Sequence, residues 1–340
     1  MGADPRFHGR VDNVMQKRTL GRANIQVSAI GLGCWQLGND FGVVDDARAR
    51  AALEVAFEQG INFFDTADVY GNGLSETRIG AWLKGLSEPP FVVTKVGRNS
   101  TLYPSGYTKE NVRASIIGSA TRLGVEALDL VQLHCVPREV LFSGEMLGWM
   151  EDFKTEGLLK AYGASVEMLD EALFCCKQPG IASLQIIFNV LRQDATEELL
   201  QTAQDSQVGL IIRLPLASGL LSGHMQAGQQ FSQGDHRNYN RDGDAFHVGE
   251  TFNGLPYDKG LELVEELKAL LPPNVPLAQL ALRWILDFPQ VTTIIAGSSK
   301  PEQVRSNVAA SQLPPLTEAQ HNALKAFYYD RVREHIRGGI

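Results

Sequence analysis

The chain of 340 residues has only four cysteines, Cys34, Cys135, Cys175 and Cys176, in neither the spacing of a zinc site nor a secreted disulfide framework. Reduced thiols in a cytoplasm are therefore expected, and no metal is called for. No run of about 20 uninterrupted apolar residues occurs, and the opening "MGADPRFHGRVDN" lacks the apolar core of a signal peptide. Both absences argue for a soluble, unexported protein, in which the sequon at Asn99 carries no weight. Basic residues are few and scattered: 31 Lys and Arg stand against 39 Asp and Glu, for a formal charge of −8. That balance argues against a nucleic-acid or anionic-membrane partner. A Gly-x-Gly-x-x-Gly fingerprint is also missing, because "GLGCWQLG" brings its last glycine too late.

What is present is a repeat of short apolar runs, each followed by helical periodicity. The runs are "AIGLGC" (29–34), "INFFD" (61–65), "FVVTK" (91–95), "DLVQLH" (129–134), "KAYGAS" (160–165), "SLQIIF" (183–188), "GLIIRL" (209–214) and "VTTIIA" (291–296). They are continuously apolar, which suits parallel strands covered by helices. Eight such units predict a closed (β/α)8 TIM barrel, with an open doubly wound sheet as the rival. Helices are expected after Asp45 or Asp46 up to Gly60, over 108–123 and over 143–156. "TLGRANIQVSAI" (19–30) reads as an N-terminal hairpin closing one barrel end. Residues 217–257, rich in Gly, Ser, Gln, Asn and Asp, are too long for an ordinary connection and read as a flap over a site after strand 7. Thr317–Gly338 reads as a C-terminal helix on the outside. The expected organisation is a disordered tail over 1–18 and one barrel domain over 19–340.

Within "FFDTADVYGNGLSE" (63–76), Asp65 ends one apolar run and Tyr70 follows it in a Gly-rich loop. In a (β/α)8 barrel all strand ends meet at one rim, so Lys95 and His134, which end the next two runs, should join them. A phenol titrates near 10, and an adjacent ammonium should lower that value. Asp65 would keep Lys95 charged, and His134 would hydrogen-bond to the phenol or to a carbonyl oxygen. The plainer alternative is a buried Asp65–Lys95 pair, a satisfied core histidine and a turn tyrosine.

"FFDTADVYGNGLSE", "VVTKVG" and "DLVQLHCV" resemble the signature segments of the aldo-keto reductase superfamily, in order and with similar spacing from about Thr19 to about Ala310. The resemblance implies a (β/α)8 barrel that reduces carbonyls with a nicotinamide cofactor, with Tyr70 as general acid supported by Asp65, Lys95 and His134. Tyr-x-x-x-Lys and Gly-x-Ser-x-Gly, needed by two competing enzyme classes, do not occur.

Since no side chain supplies hydride, the resemblance further implies NADPH, or NADH, lying across the rim with contacts that include Gly33 and Trp35. Ser165 and Gln185 match residues that grip the carboxamide, although Val166 replaces the usual asparagine. Arg213 stands where many members stack an aromatic ring, with a strand-end salt bridge as its alternative role. Leu216, Ser218 and Leu220 should follow the pyrophosphate, and Gly297, Ser298, Ser299, Gln303 and Asn307 the adenosine. For the 2′-phosphate, Ser299 and Lys300 replace the usual arginine, and Arg305 lies a turn further along.

Trp35, Val69, Cys135 and the 217–257 segment are expected to wall the pocket for a small-molecule carbonyl substrate. A monomer or small homo-oligomer is expected. Two other functions fit the same residues: a sugar or alcohol dehydrogenase working in the oxidative direction, and a cofactor-sensing binding protein similar to channel β subunits.

Overall fold

All eight apolar runs form strands in the computed structural model of the protein, which describes residues 15–340. An antiparallel pair comes first, β1 (Lys17–Leu20) with β2 (Ile25–Ser28). The parallel strands are β3 (Ile30–Gly33), β4 (Phe63–Asp65), β5 (Phe91–Val96), β6 (Leu130–His134), β7 (Tyr162–Ser165), β8 (Ile181–Ile187), β9 (Gly209–Arg213) and β10 (Val291–Gly297). They pair in sequence order, and β10 closes on β3. Around them run α1 (Asp46–Glu58), α2 (Leu74–Leu83), α3 (Lys109–Leu123), α4 (Arg138–Ser143), α5 (Glu145–Thr155), α6 (Leu169–Cys176), α7 (Leu199–Asp205), α8 (His236–Tyr239), α9 (Tyr257–Lys268), α10 (Leu277–Leu286), α11 (Pro301–Ala309) and α12 (Glu318–Phe327). The protein is a (β/α)8 TIM barrel with an N-terminal hairpin.

Local chemistry sets the helix ends. The Asp45 carboxylate accepts from Arg48 N at 2.8 Å and starts α1, while Gly60, at φ 84°, turns the chain after it. Thr108 caps α3 in the same way, and Gly124 ends it in the left-handed region. The 143–156 helix starts two residues late, at Glu145, because Gly144 at φ 75° separates it from the short α4.

Side chains two apart on a strand share a face, and this layers the barrel interior. Phe63, Val93, Leu130, Ile211 and Ile295 form its apolar floor, and Leu20 and Val27 of the hairpin plug it from below. Two residues further along the same strands come Asp65, Lys95, Gln132 and Arg213. The intervening residues, such as Phe64, Val131, Leu184 and Ile212, face the helices in the main core. The polar groups thus gather at the C-terminal ends of the strands.

The hairpin begins at Lys17, so Lys17 and Arg18, expected in the disordered tail, are in a strand. Arg18 fixes it by donating to the carbonyls of Val291 at 2.6 Å and Leu286 at 2.7 Å. Residues 1–14 of that tail lie outside the described residues. The expected Thr317–Gly338 helix is α-helical only to Phe327; a π-helical turn (Tyr328–Val332) and a short 3-10 turn (Arg333–His335) follow. The wider turn lets Tyr328 Oη and Arg333 Nε both reach the buried Asp194 carboxylate. Beyond it the chain crosses the long loop, where Arg337 donates to Gly254 O at 2.8 Å and pairs with Asp242 at 2.6 Å.

Gly80 in the middle of α2 tests how closely α2 and α3 pack. Alanine there would gain about 1 kcal/mol in helix propensity, but its methyl would run into Arg122 O and the Leu123 backbone, 2.9 Å away. The clash should win: Gly80→Ala is expected to lose about 1–3 kcal/mol in urea unfolding, and a stabilised variant would contradict this packing.

Candidate active site

Asp65, Lys95, Ser165 and Gln185 are all at most 2 % exposed, and they meet at the top of the barrel. Strand register brings them there, since His134 pairs with Ser165 and Ser165 with Gln185. Lys95 Nζ lies 2.5 Å from Asp65 Oδ1, 2.8 Å from Thr66 O and 3.1 Å from Tyr70 Oη. An ammonium has three protons and no acceptor, so these three contacts satisfy it and Tyr70 Oη accepts. The phenolic proton is left to point elsewhere. Asp65 Oδ2 accepts from Gln185 Nε2 at 2.8 Å, which also donates to Gln132 Oε1 at 2.8 Å.

The Tyr70 loop is held by the rest of its motif. Ser75 Oγ donates to Cys34 O at 2.8 Å and accepts from Thr66 Oγ1 at 2.8 Å. Buried Glu76 receives Thr94 Oγ1 and, at 2.6 Å, Arg122 Nε. Gly71, at φ 58°, packs directly on Gly38, where no side chain would fit. Asp40 ties the two loops by accepting from Gly71 N at 3.1 Å; burial pushes its carboxyl up to about 6.

Electrostatics correct one expectation. Burial pushes Tyr70 up to about 12; Lys95 pulls the other way, but Asp65 stands beside it and cancels much of its field. The phenol is fully protonated at neutral pH. Burial works against the charge of Lys95, and Asp65 and Tyr70 restore it, so the ammonium is held. His134 lies well below the usual imidazole range, through burial and then the nearby Arg98 and Lys95, and is neutral. Its ring is edge-on to Tyr70, with centroids 6.0 Å apart, and its Nδ1 is buried with no partner among the described residues.

An arginine and carboxylate set, of which only Arg213 was expected from the sequence, borders these groups. Glu250, from the long loop, binds Arg98 through both oxygens and Arg213 Nη1 at 3.0 Å; Arg98 also reaches Glu167 at 2.7 Å. Burial and the Glu250 charge push Glu167 up to about 8. Cys135, Glu167 and Glu250 lie close enough to ligate a cation, but burial keeps the Cys135 thiol and the Glu167 carboxyl protonated at neutral pH, and the remaining anion, Glu250, is already met by the two guanidiniums. Arg213 therefore shows the strand-end salt bridge, and it also donates to Val166 O at 3.0 Å. Besides Arg213, Arg98, three residues after Lys95 in "TKVGR", offered a sequence signal for this set. Gln132 was readable too, two residues before His134 on the same strand face.

The 217–257 segment covers the rim as compact turns. Asn240 Oδ1 accepts from Ala245 N at 3.0 Å and Phe246 N at 2.9 Å, and Asn253 and Asn189 exchange side-chain hydrogen bonds. It sets His236 and Phe246 beside Trp35, which stacks on Tyr70 at 5.7 Å with Phe41 edge-on at 5.0 Å. Half-buried Val69 flanks this wall, whereas Cys135 is buried with its thiol 3.7 Å from Ser165 Oγ and 3.6 Å from Arg213.

The residues expected to hold a cofactor are divided. Gly33 and Gly297 pair across the barrel closure, where a Cβ on Gly33 would meet Gly297 Cα at 3.2 Å. Gln36 lies over Gly297 with its Oε1 buried and unpartnered among the described residues, an acceptor waiting for a donor. Ser298 Oγ caps the turn before α11 through Lys300 N at 3.0 Å and bonds Gln303 at 3.0 Å. Ser299 is half-buried, Lys300 and Gln303 exposed, and Asn307 buried. Leu216 is half-buried and Ser218 Oγ accepts from Phe252 N at 3.1 Å within the loop. Leu220 departs from expectation, since the residue is fully buried with its side chain in the core beside Gly260. The orphan acceptor, the close glycine pair and the row of polar strand ends fit an extended dinucleotide along the rim.

The Aldo/keto reductase family model matches residues 29–329. A D-threo-aldose 1-dehydrogenase of a Pseudomonas species is 29% identical over 321 residues, covering 86% of this chain and 92% of its own. An NADH-specific methylglyoxal reductase of Escherichia coli is 29% identical, covering 87% of this chain and 93% of its own. The holo form of the aldo-keto reductase AKR11C1 from Bacillus halodurans superposes with a TM-score of 0.74 at 29% identity, covering 92% of this chain and 96% of its own.

Two outcomes test these electrostatics. Lys95→Met strands a buried carboxylate and should cost about 3–5 kcal/mol of stability; adding Asp65→Asn should recover part of it, and a single variant that melts like wild type would refute the pairing. His236, fully buried, is depressed by burial from 6.5 to about 4. The unfolded chain then binds the proton first, so stability falls as pH drops from 6.5 towards 4, by about 3 kcal/mol at 1.36 kcal/mol per pH unit. Asp40 and Asp68, both raised to about 6 by burial, act in the opposite sense. The difference between wild type and His236→Gln isolates the effect, and parallel pH curves would exclude it.

Proposed function

The chain belongs to the aldo/keto reductase family, and on that premise we propose that it reduces a small aldehyde or ketone to the alcohol, with NADPH as the preferred reductant and NADH as the lesser one. The observation that carries the reading is the Asp65–Lys95–Tyr70 chain of contacts, which leaves the Tyr70 proton free and faces a neutral His134. A carbonyl oxygen set between Tyr70 Oη and His134 receives hydrogen bonds from both, and they fix its position. As negative charge develops on that oxygen, Tyr70 transfers its proton, and the phenolate that remains is 3.1 Å from the Lys95 ammonium. Asp65 keeps that ammonium charged and aimed.

Bound along the rim, the reduced nicotinamide supplies hydride, which no side chain provides. Ser165 and Gln185 would hold its carboxamide; the Gln185 amide nitrogen is committed to Asp65 and Gln132, so its oxygen serves. Gln36, Gly33 and Gly297 would take the central part, and Ser298, Ser299, Lys300, Gln303 and Asn307 the adenosine end. Arg213 is held by Glu250, so a part for it beside the cofactor requires that pair to rearrange. Trp35, Phe41, Phe246 and Val69 would enclose the substrate body. The described residues contain no helix long and apolar enough to cross a membrane; on this reading the protein is a cytoplasmic monomer or small homo-oligomer.

Similarity to an aldose 1-dehydrogenase favours a second reading, oxidation of a sugar or alcohol, because the same proton path runs in reverse. Comparing kcat/KM for NADPH-dependent reduction of an aldehyde and ketone panel with that for NAD(P)⁺-dependent oxidation of aldoses decides the direction. No turnover either way would sink both. Tyr70→Phe should bind NADPH within about twofold of wild type and lose about 10²- to 10⁴-fold in kcat; a variant keeping more than a tenth of the activity would remove Tyr70 from the acid role.

A further inference from the structure

NADPH differs from NADH by one 2′-phosphate, a group of charge near −2 that is best gripped by a planar guanidinium. The turn after β10 lacks one: it carries Ser299 and Lys300, and Lys300 offers a single, solvent-exposed point charge. The missing fork comes from another element. Arg48 Nε donates to Ser299 O at 3.2 Å, although Arg48 lies 251 residues earlier in the chain.

Arg48 is in the first turn of α1, and its backbone is fixed by the Asp45 cap. Helices α1 and α11 pack side by side and both begin at the C-terminal rim. Arg48 is half-buried there. Among the described residues no carboxylate lies within 4.0 Å of its guanidinium, and the nearby Asp46 is committed to Arg78 at 2.8 Å. The bond to Ser299 uses only Nε, which leaves Nη1 and Nη2 as paired, unoccupied donors beside Ser299 and Lys300. Gln36 Oε1, buried and unpartnered over Gly297 at the end of the same strand, independently points to a ligand along this edge.

We propose that Arg48, reaching from α1, is the bidentate ligand of the cofactor 2′-phosphate and the main determinant of NADPH over NADH preference, with Ser299 and Lys300 as secondary contacts. The assignment rests on the nicotinamide reading above. It explains how the chain dispenses with an arginine in the turn itself, since a guanidinium held by a backbone carbonyl is already oriented and loses little freedom on binding.

The test is equilibrium binding, read from tryptophan fluorescence, of NADPH and NADH to wild type, Arg48→Ala and Arg48→Lys, with 2′,5′-ADP as competitor. Arg48→Ala should weaken NADPH and 2′,5′-ADP by about tenfold or more and leave NADH within about twofold, the unchanged NADH affinity also reporting an intact fold. Arg48→Lys should fall between, because it keeps the charge and loses the fork. NADPH affinity retained by Arg48→Ala overturns the assignment alone, as does a parallel loss for both dinucleotides, which would mark Arg48 as a prop for the turn. Wild-type protein that binds neither dinucleotide overturns the cofactor reading and this assignment with it.

Discussion

The Lys95 ammonium is a charge that solvent barely reaches, and the geometry of the rim follows from how its three protons are met. Asp65, Thr66 O and Tyr70 Oη each take one. Leaving any of them unmet in so dry a place would cost several kcal/mol, so β4, β5 and the Tyr70 loop are locked to one another. The demand spreads outward. The second Asp65 oxygen needs Gln185, whose amide nitrogen also engages Gln132, and Gln132 reaches Ser183 at 3.2 Å. One charge thus organises a polar layer across β4, β5, β6 and β8, above a floor made of Phe63, Val93 and Leu130.

A second set of charges anchors the long segment after β9. Arg98 follows β5 and Arg213 ends β9, and both converge on Glu250. A loop rich in glycine and polar residues has little apolar area to bury, so ionic and amide anchors stand in for a core. Asn240, Asn253 and Glu250 serve that role, and the aromatic side chains they position, His236 and Phe246, close on Trp35 and Phe41.

The opposed responses of Tyr70 and His134 show burial outweighing neighbouring charge. Desolvation disfavours whichever form is charged, so it raises a phenol and lowers an imidazole. Here both groups remain neutral at physiological pH. The result is a neutral phenol set against the edge of a neutral imidazole, with the Lys95 ammonium in place at the phenol oxygen. Under the function proposed above, Tyr70 would act as an acid through the charge that develops beside Lys95 on reaction, and not through a lowered resting pKa.

The sequence by itself determined the barrel and the three polar strand ends, with Tyr70 in the loop after the first of them. Continuous apolar runs at regular intervals leave few alternatives to a parallel closed sheet, and alternation along each strand puts Asp65, Lys95 and His134 on the inner face. Recognition of the "FFDTADVYGNGLSE", "VVTKVG" and "DLVQLHCV" segments then named the family. Tertiary structure alone decided the rest, because each remaining feature joins residues distant in sequence. The π-helical turn after Phe327 answers to Asp194, which no local pattern reveals. Glu250 has no periodicity that marks it as a partner of Arg98 and Arg213. Leu220 reads as a rim residue until Gly260 opens a space for it in the core. The Tyr70 acidity depended on a sum of burial and two opposed charges, and only coordinates fix such a sum. Arg48 and Ser299 are brought together by the closure of the barrel itself, which sets the first and last barrel strands side by side and carries their helices with them.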